Sequence, residues 1–242
     1  MILEGINQFC FAGLRSYDDM GMVITEPPVF SVPERDIEYI SIPGRSGDLL
    51  RDNGRWKNIT ASYKVAALCE DFPIQQAMKQ IRSWLAGSIG YSVLSDTYDP
   101  QYYRLAAPDG KISFEEKMRQ IGTATLKFNC KPYKYRIDGR QIITLSSAGT
   151  VYNPESLSSA PYIRITGNGD VVFTLNNASF GLDDIDGYIE LDSELMAVYK
   201  GTILQNEKAL FTEFPMLNPG ENNLGWEGSV TKIEIIPRWC AL

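Results

Sequence analysis

The residues whose types and spacing could support nucleophilic catalysis include the pair Ser229 and Lys232. Serine hydrolases that work without histidine place a serine and a lysine three positions apart, on one face of a helical turn. The residues around this pair alternate as in a strand, where positions three apart point to opposite faces. The chain contains no histidine, which excludes His-activated nucleophiles, His-ligated zinc and imidazole acid–base catalysis.

The acidic segment LDDIDGYIELDSE offers the carboxylate oxygens that calcium prefers. With Gly187 aligned to the sixth position of an EF-hand loop, Asp184 and Asp186 occupy positions three and five. Leu182 and Ser193 then occupy positions one and twelve, where the loop requires carboxylates. We therefore interpret the segment as a solvated hairpin and leave a different divalent-cation site open as the alternative.

Two further possibilities concern carbohydrates. A glycosidase needs a pair of carboxylates, but 30 acidic residues provide such pairs by chance, so the pattern does not identify a hydrolase. Trp226, Trp239 and Tyr188 could form an aromatic platform for a sugar, and Trp226 is the candidate stacking residue. Aromatic residues at strand positions more often belong to a core.

The connection SIPGRSGDLLRDNGRW, residues 41–56, is unusually polar for a segment between two strand-like stretches. It combines turn-forming residues with charges of both signs, namely Pro43, Gly44, Gly47, Arg45, Arg51, Arg55, Asp48 and Asp52. Arginine guanidinium groups suit bidentate pairing with carboxylates. Within the segment, Asn53-Gly54 is the strongest signal for a hairpin turn. A hairpin tip and a docking surface both fit this composition.

The charge of the chain divides unevenly along its length. Residues 1–138 carry 17 Lys and Arg against 17 Asp and Glu, whereas residues 139–242 carry 6 against 13. This difference predicts two domains, Met1–Asp138 and Gly139–Leu242. The acidic second domain argues against nucleic-acid recognition, which needs a basic face.

The remaining composition favours a protein made and kept in a cytoplasm. No run of 18 or more apolar residues predicts a transmembrane helix, and MILEGINQF lacks the basic cluster that opens a secretory signal. Four widely spaced cysteines, without any CxxC pair, are expected to be free buried thiols; they are Cys10, Cys69, Cys130 and Cys240. We expect no cofactor and no metal.

Hydrophobic periodicity in the first part predicts strands around one helix. Alternation of apolar and polar residues predicts strands at Ile59–Ala67 and Thr123–Cys130. Apolar residues at helical spacing predict a helix over Phe72–Ala86, with Asp71 as its N-cap and Gly87 just past its end.

The second part contains only strand and turn signals. Tyr162–Ile165 and Val171–Leu175 flank Gly167–Asp170, which predicts a hairpin. A second hairpin is predicted around Asp192–Leu195, and Val230–Ile236 is a terminal strand. Short strands at regular spacing, with turn residues between them, are typical of a β-sandwich.

Several stretches, taken in order, resemble one known family. FCFAGLRSYDDMGMVI resembles its opening, and VPERDIEYISIPGRSGDLLRDNGRWKNI resembles its strand followed by a Pro-Gly-Arg-x-Gly turn. SWLAGSIGYSVLSDTYDPQYYRL and LKFNCKPYKY are similar to the later parts of its first domain. SAPYIRITGNGDVVFTLNN, YIELDSELMAVYKG and FPMLNPGENNLGWEG resemble its C-terminal sandwich. The family is that of the distal tail proteins (Dit) of long-tailed, siphovirus-type bacteriophages and prophages.

The resemblance implies a structural virion protein that is not an enzyme. It implies a mainly β fold, with an N-terminal ring-forming domain that holds one α-helix and a C-terminal galectin-like β-sandwich. Members form a homohexameric ring that joins the tail tube protein to tail-tip or baseplate proteins. The expected location is the virion tail tip, with assembly in the host cytoplasm and without a membrane partner.

On this basis the preferred hypothesis is a distal tail hub. The candidate subunit or partner interface consists of Pro43, Gly44, Arg45, Gly47, Asp48, Arg51 and Arg55, and an ordinary solvated hairpin is the alternative for the same residues. A carbohydrate-binding host-recognition module of a phage tail, acting through Trp226, is the alternative function. A hydrolase is the third hypothesis.

Overall fold

The computed structural model describes residues 5–69, 74–118 and 120–242. The chain divides into two compact units, of which one runs to Lys134 and includes Leu242, and the other is Tyr135–Ala241. The domain boundary expected from the charge distribution, after Asp138, stays a prediction. The predicted N-cap residue Asp71 lies outside the described residues.

The first unit is built on one antiparallel sheet with the strand order β2-β1-β8-β9-β11-β7-β3. Strand β10 also pairs with β11, and β4 also pairs with β7. The elements are β1 (Phe9–Phe11), β2 (Leu14–Arg15), β3 (Met22–Ile24), β4 (Val29–Phe30), β5 (Arg35–Ile40), β6 (Leu49–Trp56), β7 (Ile59–Leu68), α1 (Ile74–Gly87), β8 (Ser92–Asp96), β9 (Tyr102–Asp109), β10 (Phe114–Met118) and β11 (Ile121–Arg136).

The core of the first unit forms where α1 packs on the inner face of this sheet. Alternate residues of β7, from Ile59 to Ala67, are buried, and the residues between them are not. The helix buries one face made of Ile74, Ala77, Met78, Ile81 and Leu85. These residues share one hydrophobic cluster with Phe9, Phe11 and Phe128. The predicted strand at β7 is confirmed, and so is the predicted helix from Ile74 onward, although Gly87, expected just past its end, is its last residue.

The second unit consists of an antiparallel sheet with the order β12-β18-β14-β15-β16-β17, in which β13 also pairs with β18. Its strands are β12 (Ile143–Leu145), β13 (Gly149–Asn153), β14 (Tyr162–Leu175), β15 (Ala178–Asp192), β16 (Ala197–Lys200), β17 (Ile203–Leu204) and β18 (Gly220–Ile236). The short strand β19 (Cys240–Ala241) follows and is not part of this sheet. Three long strands, β14, β15 and β18, lie side by side and supply most of the buried core.

The predicted hairpin at Gly167–Asp170 is wrong, because β14 continues through these residues as one strand. The register of β14 shifts there relative to both neighbours, which marks bulges rather than a turn. A Cβ atom on Gly167 would lie 2.3 Å from the Ser229 carbonyl oxygen. The glycine therefore permits a close approach of two strands. The curled sheets are β-sandwich-like and confirm the mainly β fold class.

Candidate functional site

Strands β5 and β6 form a hairpin that stands apart from both large sheets. Within the described part of the chain they pair only with each other. No residue from Glu34 to Asn58 is buried, so the hairpin has no core of its own. A two-stranded hairpin is marginally stable when isolated, so other contacts must hold this one in place.

Cross-strand ion pairs supply part of that stability. Arg55 Nε donates to Asp36 Oδ2 at 2.7 Å, and this hydrogen bond lowers the pKa of Asp36 below its usual value. Further along, Arg51 lies directly opposite Glu38, with 3.9 Å between Nη1 and Oε2. These pairs are exposed and individually weak. Repeated along the ladder, they favour one register of the hairpin.

The base of the hairpin is fixed by an aromatic contact. The Arg35 guanidinium carbon lies 4.4 Å from the centre of the Trp56 ring, in a cation–π arrangement. Arg35 also pairs with Asp52 at 3.5 Å. The strand register shifts between the Arg35–Trp56 pair and the next pair, formed by Ile37 and Asp52. Asn53-Gly54 therefore lies inside β6, and Gly54 has a φ of +72°. The expectation that Asn53-Gly54 forms the hairpin turn is wrong, since these residues form a bulge.

The actual turn is residues 41–48, which link β5 to β6. The Arg45 amide donates to the Ile42 carbonyl at 3.1 Å and closes the tight turn that Pro43 and Gly44 favour. Arg45 and Asp48 are exposed, and neither forms an ion pair with any described residue. The turn therefore presents one positive and one negative group that are not used within the hairpin.

The structure thus separates the predicted interface residues into two sets. Arg51 and Arg55 each form an ion pair with a carboxylate of the same hairpin. The turn residues are exposed, and they are Pro43, Gly44, Arg45, Gly47 and Asp48. The interface role of both sets stays a prediction.

Sequence reasoning missed the apolar part of the hairpin. Tyr39 and Leu50 are paired across the two strands and are 67% and 56% exposed, and the neighbouring Leu49 is 47% exposed. Apolar side chains grouped in an uncovered hairpin are typical of a surface that a partner covers. Knowledge that the connection pairs with Ile37–Ile40 would have placed Tyr39 opposite Leu50.

The other candidate sites are explained by local structure. Ser229 and Lys232 lie on strand β18, and Lys232 Nζ bonds to Glu234 Oε1 at 2.9 Å. Asp184 and Asp186 lie on β15, 3.7 Å from the ammonium of Lys208 and 3.1 Å from that of Lys200. Among residues 5–69, 74–118 and 120–242, no group of three His, Cys, Asp or Glu is placed to hold a metal ion.

Trp226 and the cysteines are placed mostly within the packed units. Trp226 is half-buried, lies opposite Phe173 and packs against the second core. Its proposed sugar stacking stays a prediction. Cys69, Cys130 and Cys240 are buried free thiols, and burial raises the pKa of Cys130 and of Cys240 to about 11. Cys10 is free but only half-buried.

The described helix α1 is too short to cross a membrane, and no other described helix could do so.

Comparison with known proteins identifies the fold. No family model matches the sequence, and no curated protein matches it. A crystal structure of the Dit protein of phage SPP1 superposes with a TM-score of 0.75 at 12% identity, over 98% of this chain and 100% of that chain. That protein is described as a paradigm of the hub adsorption apparatus in phages that infect Gram-positive bacteria. A chain of the phage p2 baseplate, in its activated conformation with strontium, gives a TM-score of 0.47 at 11% identity, over 95% of this chain and 98% of that one.

Proposed function

We propose that this chain is a distal tail hub of a long-tailed phage or prophage. In this role six copies form a closed ring through the first unit, and the ring joins the tail tube protein to tail-tip or baseplate proteins. The protein acts as a structural component of the virion tail tip and not as an enzyme. Its ring assembles in the host cytoplasm and requires no cofactor.

The observation that carries this proposal is the superposition on the SPP1 hub protein along the whole of both chains. The match includes both units, so it extends beyond a single common β domain. At 12% identity the likeness concerns the fold. The proposal therefore also needs a feature of this chain that suits assembly.

The β5–β6 hairpin provides that feature. It carries uncovered apolar residues, a turn with unused charges of both signs and a ladder of ion pairs that fixes its register. A surface with both signs can complement a copy of itself that is displaced by rotation, which a closed ring requires. Covering Tyr39 and Leu50 in each copy removes apolar surface from water and stabilises the ring.

The test is the native mass of the full chain, followed by negative-stain imaging. We expect particles with six times the 27.1 kDa mass of one chain and annular images with sixfold symmetry. A protein that stays monomeric at high concentration would contradict the ring.

A hairpin-shortened variant separates assembly from folding. In this variant Ile37–Asp52 is replaced by a short turn between Asp36 and Asn53. The removed residues include none that are buried, so the thermal unfolding of the two units should change little. We expect the variant to remain monomeric. A variant that still forms the annulus would show that the hairpin is not the assembly element.

A further inference from the structure

Arg104, on strand β9, is a cation that the first unit partly buries without giving it a charged partner. Its Nη1 atom is buried and has no hydrogen-bond partner, and its guanidinium forms no ion pair with any described residue. The guanidinium carbon lies over the Phe30 ring, 4.8 Å from the ring centre. A cation that is partly withdrawn from water without a counter-charge destabilises the isolated chain. This arrangement therefore points to a partner outside the chain.

Arg104 lines a small recess in the surface of the first unit. The recess has a volume of about 20 Å³, and four aromatic residues form much of its wall, namely Phe30, Tyr63, Tyr102 and Tyr103. This volume holds about one water-sized group, such as a carboxylate oxygen. Among the nitrogens of the guanidinium, only Nη1 is both buried and unpaired. The opposite edge of the guanidinium is therefore accessible to an incoming acceptor.

The carboxylates that also line the recess have other partners. Asp96 accepts the Tyr63 hydroxyl at 2.7 Å and two backbone amides at 2.8 and 3.1 Å. Asp99, whose side chain is 42% exposed, lies 3.1 Å from the ammonium of Lys134. Neither carboxylate forms an ion pair with Arg104 in the described part of the chain. The guanidinium can therefore bind a carboxylate from outside with two parallel hydrogen bonds.

We propose that this recess receives the carboxylate of Asp48 from the hairpin turn of a neighbouring copy. The inference rests on the proposed ring and adds the surface that the hairpin contacts. Asp48 is the only carboxylate among residues 41–48, and it is exposed and has no ion pair with a described residue. An unused anion on one surface and an unused cation on another give the charge complementarity that suits a head-to-tail ring contact.

The position of the recess relative to the hairpin favours contact between copies. The hairpin begins at Arg35, shortly after Phe30 in the chain, and strand β5 extends about 17 Å from there to Ile40. The hairpin pairs only with itself among the described strands and has no buried residue, so no described contact brings its tip to the recess of its own copy. A hairpin that begins near one recess and ends in the recess of the next copy gives a contact that repeats around a ring.

Exposed apolar residues lie close in the chain to both charged partners. Val29 and Val32, on either side of Phe30, are exposed, as are Tyr39 and Leu50 of the hairpin. Contact between these surfaces removes apolar groups from water. It also excludes water around the ion pair, which strengthens the attraction between the two charges.

Self-association of the full chain, measured by sedimentation velocity, tests the pairing. Arg104→Met removes the guanidinium and keeps an unbranched side chain against Phe30, and Asp48→Asn removes the opposing charge. We expect each variant to weaken association about tenfold. The variant with both changes should lose no more than either single variant, because both remove the same contact. Arg82→Met removes an exposed cation of α1 that does not line the recess, and it should associate like the unmodified chain.

The outcomes separate this inference from the ring itself. The pairing is overturned, and the ring stands, if the unmodified chain forms the annulus while Arg104→Met associates as well as Arg82→Met. Additive losses in the double variant overturn the pairing in the same way. A monomeric unmodified chain overturns the ring and the pairing together.

Thermal melting of the diluted, monomeric chain distinguishes a contact residue from a structural one. Because Arg104 has no charged partner in the isolated chain, Arg104→Met should melt at the same temperature as the unmodified chain or above it. A lower melting temperature would show that Arg104 stabilises the fold, and it would overturn the unpaired state on which the inference rests.

Discussion

Arg238 holds the carboxylate of Asp192 with two parallel hydrogen bonds, from Nη1 to Oδ1 and from Nη2 to Oδ2, each 2.8 Å long. The Asp192 side chain is 5% exposed. Its Oδ1 also accepts the backbone amides of Glu194 at 3.0 Å and Leu195 at 3.1 Å. One carboxylate therefore fixes the turn after β15 and the segment that follows β18.

We expect Asp192→Asn to destabilise the second unit by about 2–3 kcal/mol, because it leaves a partly buried guanidinium without its bidentate partner. Urea unfolding of the full chain, followed by tryptophan fluorescence, measures the change. Asp183→Asn is the matched control, because Asp183 is exposed and forms no ion pair with a described residue. Equal stability of the two variants would contradict the role of the Arg238 contact.

The same pair predicts a dependence of stability on acidity. Burial opposes ionisation of Asp192, but the hydrogen bond from Arg238 and those from the backbone amides outweigh it, so its pKa lies below 3.8, the ordinary value. A carboxyl group with a lowered folded-state pKa stabilises the protein above its unfolded-state pKa, and this contribution is lost as pH falls through the lowered value.

Melting temperatures measured from pH 7 down to strongly acidic conditions test this dependence. The difference between the unmodified chain and Asp192→Asn should be constant at neutral pH. It should begin to shrink as pH falls towards 3.8, the ordinary pKa of the carboxyl group. A difference that stays constant through the acid range would contradict the lowered pKa.

The hydrogen bond between Tyr63 and Asp96 allows a similar stability test in the core of the first unit. Its hydroxyl donates to Asp96 Oδ2 at 2.7 Å, while its ring lies 5.1 Å from that of Phe9. Burial, followed by the charge of Asp96, raises the pKa of this phenol far above its usual value, so the group remains a donor. We expect Tyr63→Phe to cost about 1–2 kcal/mol, because the carboxylate loses its buried donor.

Denaturant unfolding measures this loss. Tyr152→Phe makes the same chemical change at a position that is 65% exposed, and it should leave stability unchanged. A loss of equal size in both variants would show that the Asp96 contact is not responsible.

A side chain at Gly167 would crowd the bulge of β14 in the second unit. A methyl group there would meet the Ser229 carbonyl oxygen at 2.3 Å and the Val230 Cα at 3.1 Å, and both are backbone atoms. We expect Gly167→Ala to destabilise the unit by about 1–3 kcal/mol, because strands β14 and β18 must separate. At Gly149 the nearest atom to such a methyl group is a flexible leucine Cδ2 at 3.4 Å, so Gly149→Ala should be neutral in the same thermal melt. A neutral Gly167→Ala would contradict the close approach.

Local patterns predicted the elements whose side chains repeat with a simple period. The strand at Ile59–Leu68 follows strict alternation, and the helix at Ile74–Gly87 follows helical spacing. Turn predictions based on glycine were wrong where tertiary contacts determine whether the glycine lies in a turn or in a bulge. Asn53-Gly54 and Gly167–Asp170 have turn chemistry, yet both form bulges within long strands, because turns and bulges need the same backbone freedom.

The candidate site was predictable only in part, for a related reason. Arg45 and Asp48, the turn residues without ion pairs, lie in the connection that the sequence predicted. The partners of Arg51 and Arg55 depend on the register of β5 against β6, which a single strand pattern does not specify. Once that register is known, it follows that Glu38 lies opposite Arg51 and that the exposed residues Tyr39 and Leu50 form a cross-strand pair.

The charges of the hairpin turn give the most direct test of assembly. Arg45 and Asp48 have no ion-pair partner among the described residues, so in the proposed ring they remain available to pair with other copies. Arg45→Glu leaves the turn with negative charge only, and like charges then face each other at each contact. We expect self-association to weaken about tenfold, as measured by sedimentation velocity at several protein concentrations.

Two matched variants complete this test. Arg45→Glu/Asp48→Arg restores one charge of each sign in every turn and should recover part of the assembly. Lys111→Glu makes the same charge reversal at an exposed position of the first unit that is not part of the hairpin, and should assemble normally. If Arg45→Glu assembles as well as Lys111→Glu, the turn does not contribute to the subunit contact, and the apolar pair of Tyr39 and Leu50 would have to carry it alone.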